Sequence, residues 1–113
     1  MSRFLPPDHS KGDERTIGGY AAVHARPAAL EGRDGMSYSV EILAERTGES
    51  ARPFGAYFLF LQWRRIGEQG VEGHIETDFL VWADDAKGAK AALGAMPIEE
   101  VQHLLDQLLK ERA

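Results

Sequence analysis

Within a strand expected over residues 54–65, residues 56–63 are apolar on both sides until the last of them, whereas the segments around them alternate. Successive side chains leave a strand on opposite faces, so Tyr57, Leu59, Leu61 and Trp63 form one face of this run and Phe58 and Phe60 the other. Each face then needs cover. Upstream, residues 36–45 read as a half-buried strand, with Met36, Tyr38, Val40, Ile42 and Ala44 opposite Ser37, Ser39, Glu41 and Glu45. Downstream, residues 71–82 set Val71, Ile75, Phe79 and Val81 against Glu72, His74, Glu76, Asp78, Leu80 and Trp82. Residues 17–25 are small and alternating, and read as a first strand that Pro27 ends by removing a backbone donor.

The connections are short and polar. Glu31-Gly32-Arg33-Asp34-Gly35, the stretch from Thr47 to Pro53, and Gly67-Glu68-Gln69-Gly70 are turn signals, and loops of this length join antiparallel neighbours. Asp84-Asp85 then offers an N-cap to a short helix over residues 86–93, which Gly94 ends. A longer helix starts behind Pro97, with Glu99 and Glu100 near its positive end. Along it Ile98, Val101, Leu104, Leu105, Leu108 and Leu109 recur on one side, a stripe suited to cover one face of a sheet. The expected fold class is α+β: a four-stranded antiparallel meander with two C-terminal helices, the longer packed on one sheet face. Residues 1–15 show neither period and read as a flexible N-terminal tail, and residues 16–113 as a single α+β domain.

The helices cover one face only. With Phe58 and Phe60 on the other, joined by Leu80 and Trp82, the second face is expected to be an interface, closed by a second copy of the chain in a homodimer or by a protein partner. Periodicity does not choose between Phe58/Phe60 and Tyr57/Leu59/Leu61 as the outward set, and the need for a second cover holds for either. Trp63 and Trp82, near the ends of their strands, suit interface anchors and sheet-edge packing equally.

Composition narrows the classes. A chain of 113 residues has a one-domain length and buries enough surface for a modest core. The absence of cysteine excludes disulfides, thiolate metal sites and thiol nucleophiles. No apolar run approaches the roughly 18 residues of a membrane helix, and the first residues lack the apolar core of a signal peptide. The expectation is a soluble, cytoplasmic protein without membrane contact. A formal net charge of −5 argues against broad attraction to nucleic acid, even with Arg64-Arg65 ending the aromatic strand.

Candidate chemistry is confined to one row. Alternate residues of a strand project to the same side about 6.6–7 Å apart, so His74, Glu76 and Asp78 share a face, with His24 and Glu41 available from other strands. A histidine and carboxylates at that spacing suit a small-ligand site or a metal-dependent enzyme. The same spacing describes an ordinary strand face kept soluble by charge, and the row by itself calls for no metal or cofactor. No nucleophile elbow, zinc-binding helix motif, P-loop or dinucleotide fingerprint occurs. The leading expectation is a non-enzymatic interaction module using the second sheet face, and the alternative is an enzyme with a site on that face.

Overall fold

The computed structural model describes residues 6–63 and 70–112. In chain order it contains α1 (Ile17–His24), β1 (Ala29–Glu31), β2 (Ser37–Arg46), β3 (Phe54–Trp63), β4 (Val71–Glu76), β5 (Val81–Ala83), α2 (Ala86–Gly94) and α3 (Ile98–Arg112). The strands form an antiparallel meander in the order β1-β2-β3-β4, with β5 also paired to β3. The meander and the two C-terminal helices are those expected from the pattern. The Arg64-Arg65 pair and residues 67–69 of the expected turn lie outside the described residues.

The expected fourth strand is one edge strand in two pieces. Between the pairs Leu59–Glu76 and Ala56–Val81, two residues of β3, Tyr57 and Phe58, face four, Thr77, Asp78, Phe79 and Leu80. The β3 backbone stays satisfied across the gap. Thr77 N–H donates to Phe58 O at 3.0 Å, Leu80 N–H to Ala56 O at 2.8 Å, and Phe58 N–H to Thr77 Oγ1 at 3.1 Å. Inside the gap the alternation reverses, so Phe79 lies over Gly55 while Leu80 packs on the core. This corrects both sequence-based placements. An interrupted edge is also a poor template for strand addition by another chain.

Residues 17–25 are not a strand. They form α1, capped by Thr16, whose side chain accepts from Gly19 N–H at 3.0 Å, and ended by Ala25 in the left-handed region at φ 53°. The glycines that read as strand or turn residues serve a close approach instead. A Cβ placed on Gly18 would sit 2.9 Å from the Gly94 Cα, so α1 and α2 meet backbone to backbone. The first strand is β1, whose Leu30 pairs with Tyr38. Residues 9–11, expected to carry no element, form a short 3-10 turn held by Asp8.

Cross-strand partners share a face, and the β2–β3 register pairs Val40 with Phe60, Ile42 with Phe58 and Ala44 with Ala56. All six belong to the helix-covered side. Phe58 and Phe60 are fully buried there with Tyr38, Leu93, Val101 and Leu105. The helices divide the cover. α2 presents Ala89 and Gly94, small enough to let it lie close on β2 and β3, and buries Leu93 in the core. α3 inserts Val101 and Leu105 and runs to the β1 side, where Gln102 Nε2 donates to Glu31 O at 2.8 Å and Arg33 N–H donates to Asp106 Oδ1 at 2.9 Å.

Two substitutions check this packing by chemical denaturation. Leu105→Ala removes a side chain with no exposure, and a loss of about 2–5 kcal/mol is expected. Gly18→Ala forces α1 off Gly94 and is expected to lose about 1–3 kcal/mol by overpacking, although alanine is the better helix former. A gain from Gly18→Ala would mean that the helices do not touch there.

Candidate functional site

The sheet face turned away from the helices is called the outer face. Strand alternation and register place on it Ser37, Ser39, Glu41, Leu43 and Glu45 of β2, and Gly55, Tyr57, Leu59, Leu61 and Trp63 of β3. His74 and Glu76 of β4 and Trp82 of β5 join them. Across the strands Leu61 lies between Ser39 and His74, and Leu59 between Glu41 and Glu76. An apolar strip therefore runs along β3 with carboxylates on both flanks.

The expected interface set is corrected by this geometry. Phe58 and Phe60 are core residues and Leu80 packs against the core, so of the four only Trp82 stands on the outer face. The reason is parity. Once Val40 and Ile42 face the helices, their β3 partners must face them too, and the intervening residues of β3 turn outward. The outward set is thus Tyr57, Leu59, Leu61 and Trp63. Its signal was present in the hairpin, because equal strand lengths about the Thr47–Pro53 connection oppose even positions to even ones. The two-residue excess that turns Phe79 outward left no comparable mark.

Part of this face is covered from within. Phe79 packs on Tyr57, with ring centroids 5.8 Å apart, and on Gly55, where a Cβ would come within 2.6 Å of its ring. Tyr57 donates its hydroxyl proton to Glu45. That bond, with burial and the charges of Glu45 and Glu76 behind it, pushes the Tyr57 hydroxyl up to about 12. Leu43, Leu59 and Leu61 are half-buried, whereas Trp63 and Trp82 remain 39% and 37% exposed. Trp63 Nε1 donates to Ser39 Oγ at 2.8 Å, and the Arg52 guanidinium lies 4.2 Å over the Trp82 ring. A recess of about 220 Å³ opens between Glu45, Tyr57, Glu76, Thr77, Asp78 and Phe79.

The five residues of the ligand row are only partly brought together. Glu41, His74 and Glu76 share the outer face, with Leu59 and Leu61 between the strands that carry them, and Asp78 lies in the interruption. His24 is elsewhere. It sits in the last turn of α1, in the helix layer, with its ring 4.3 Å from Tyr20 and its Nε2 2.9 Å from Glu14 Oε2. His9 Nε2 approaches the same oxygen at 3.2 Å, and the two histidines, His24 foremost, hold the Glu14 carboxyl below its usual range. Among the described residues no group of three or more histidine or carboxylate side chains is arranged to hold a metal ion.

On the helix side a second cleft, of about 530 Å³, is lined in part by Arg33, Asp34, Tyr38, Gln62, His74 and Arg112. Tyr38 lines it, and its hydroxyl donates to Asp34 Oδ2 at 2.6 Å and is raised in pKa first by burial and then by that carboxylate. Comparisons with protein-family models, curated proteins and solved structures find no match. Among the described residues no helix is long and apolar enough to cross a membrane.

The two tyrosines set an alkaline limit. A hydroxyl raised in the folded state holds its proton more tightly than in the unfolded chain, so its contribution is complete below the unfolded value near 10 and fades above it. Stability is expected to fall as pH rises from 10 to about 12, the window set by Tyr57. In Tyr57→Phe the fall should be shallower. Denaturation midpoints across that range, with tyrosinate absorbance followed in parallel, measure both.

Proposed function

We propose that this domain is a non-enzymatic binding module that docks another polypeptide on the outer face of its sheet. The observation that carries the reading is the strip Leu43, Leu59, Leu61 and Trp63, over which the described residues place no layer, while both C-terminal helices and α1 lie on the opposite side. Contiguous apolar surface of this kind, rimmed by polar groups, marks an interaction site more often than a solvated one. Trp63 and Trp82 stand at the strip's two ends as large aromatic anchors, the residue type that gains most from desolvation at an interface. Self-association into a homodimer is one form of such docking. The enzyme alternative loses support, because its row does not converge on a common point and His24 stands in the other layer.

The test is a substitution on the strip that spares the core. Leu59→Glu places a third carboxylate between Glu41 and Glu76, and it is expected to keep the folded circular dichroism spectrum, at a lower melting temperature because like charges then stand directly opposite, while abolishing association. Light scattering across a concentration series reads self-association. Hydrogen exchange of β3 and β4, with and without a bound polypeptide, reads docking. A partner or dimer that persists unchanged with Leu59→Glu would place the interface elsewhere on the molecule.

A further inference from the structure

The sign of charge along the outer face says what kind of chain covers it. Leu59 has Glu41 on one flank and Glu76 on the other, Glu45 stands beside Tyr57, and Asp78 rims the recess under Phe79. Among the described residues the strand positions of this face carry no lysine or arginine, and Arg52 reaches it only at the Trp82 end. A second copy would bring its own Glu41, Glu45 and Glu76 to the same surface, where the described strand positions, with Ser37, Ser39 and His74 beside them, offer no lysine or arginine to pair with them. Like charges placed opposite one another at an interface are destabilising and select against that pairing.

We infer that the occupant of this face is a basic amphipathic helix of a partner protein, an inference that rests on the docking reading above. The dimensions agree. Glu41 and Glu76 lie one strand to either side of Leu59, so their backbones are about 10 Å apart at the usual strand spacing, comparable to the diameter of a helix with its side chains. From Leu59 to Trp63, beyond the part that Phe79 covers, the strip runs about 13 Å at the strand rise, which about nine helical residues span. An apolar stripe would lie on Leu59 and Leu61. Lysines or arginines at its borders would face Glu41 on one side and Glu76 on the other. The recess between Tyr57 and Phe79, rimmed by Glu45, Glu76 and Asp78, has room for one basic side chain with its alkyl stem on the rings.

Trp63 and Trp82 are the chain's two tryptophans, and both stand on this face, so intrinsic fluorescence reports its cover directly. The probes are three eighteen-residue peptides. They are the amphipathic LKKLLKKLLKKLLKKLLK, its glutamate counterpart LEELLEELLEELLEELLE, and a scrambled lysine peptide of the same composition without a helical stripe. The first is expected to blue-shift the tryptophan emission, to protect β3 amides from exchange, and to bind about tenfold or more weakly in 0.5 M salt than at low ionic strength. The glutamate peptide should not bind. Leu59→Ser should abolish binding, and the double substitution Glu41→Gln with Glu76→Gln should weaken it at least tenfold with the fold retained by thermal melt. Equal binding of the scrambled peptide, or binding that survives Leu59→Ser, would reduce the effect to general charge attraction and overturn the inference. A wild-type dimer that buries both tryptophans and separates with Leu59→Ser would overturn it while leaving the docking reading intact. A monomer whose tryptophans stay exposed to every peptide would overturn both.

Discussion

Everything in this molecule is arranged around β3, a strand hydrogen-bonded on both sides and apolar on both faces. A central strand of that kind calls for two layers, and the described residues supply one of helices. Its register with β2 decides which side receives that layer, because Val40 and Ile42 stand directly opposite Phe60 and Phe58. Two aromatic rings and the side chains of Val40 and Ile42 then meet on one face of the sheet, against the core. The helices are drawn to that side, and the other half of β3 is left as surface.

Close approach of backbones makes the single layer dense enough to serve. Ala89 and Gly94 let α2 lie near the strands, and Gly18 meets Gly94 with no side chain between them. α3 is then free to extend over the β1 edge, where its Gln102 and Asp106 occupy backbone groups of Glu31 and Arg33. At the opposite edge the four residues facing Tyr57 and Phe58 break the strand, and the Phe79 ring folds onto Gly55. One edge is thus engaged by a helix and the other is irregular, which leaves the flat outer face, not an edge, as the surface available for association.

That face combines features that oppose each other in an isolated monomer. Leucines and tryptophans favour exclusion of water, while flanking carboxylates resist any neighbour of like charge. Tyr57 shows both at once, buried under Phe79 yet bonded to Glu45, with its hydroxyl pushed up to about 12. A cationic amphipathic chain satisfies both demands, and the acidic net charge of the domain adds long-range attraction for it.

The sequence by itself determined the strands at residues 36–45 and 54–63, the short connection between them, and the two C-terminal helices with the Asp85 N-cap and the leucine stripe, whereas Gly94, read as a terminator, lies within α2. These are local properties: period two, period 3.6, and turn chemistry operate over a few residues. It also determined that β3 had one more apolar face than the helices could cover. Only the tertiary structure decided which face that was, because the choice depends on pairing with β2 across a loop and not on the pattern within β3. Residues 17–25 read as a strand because their small side chains carry no helical stripe; the Thr16 cap and the approach of Gly18 to Gly94 make them α1. The reversal of Phe79 and Leu80 came from two extra residues in an edge strand, a matter of register with β3. His24 was separated from Glu41 and His74 because its segment is a helix in the other layer, capped by Thr16 and packed through Gly18 on Gly94.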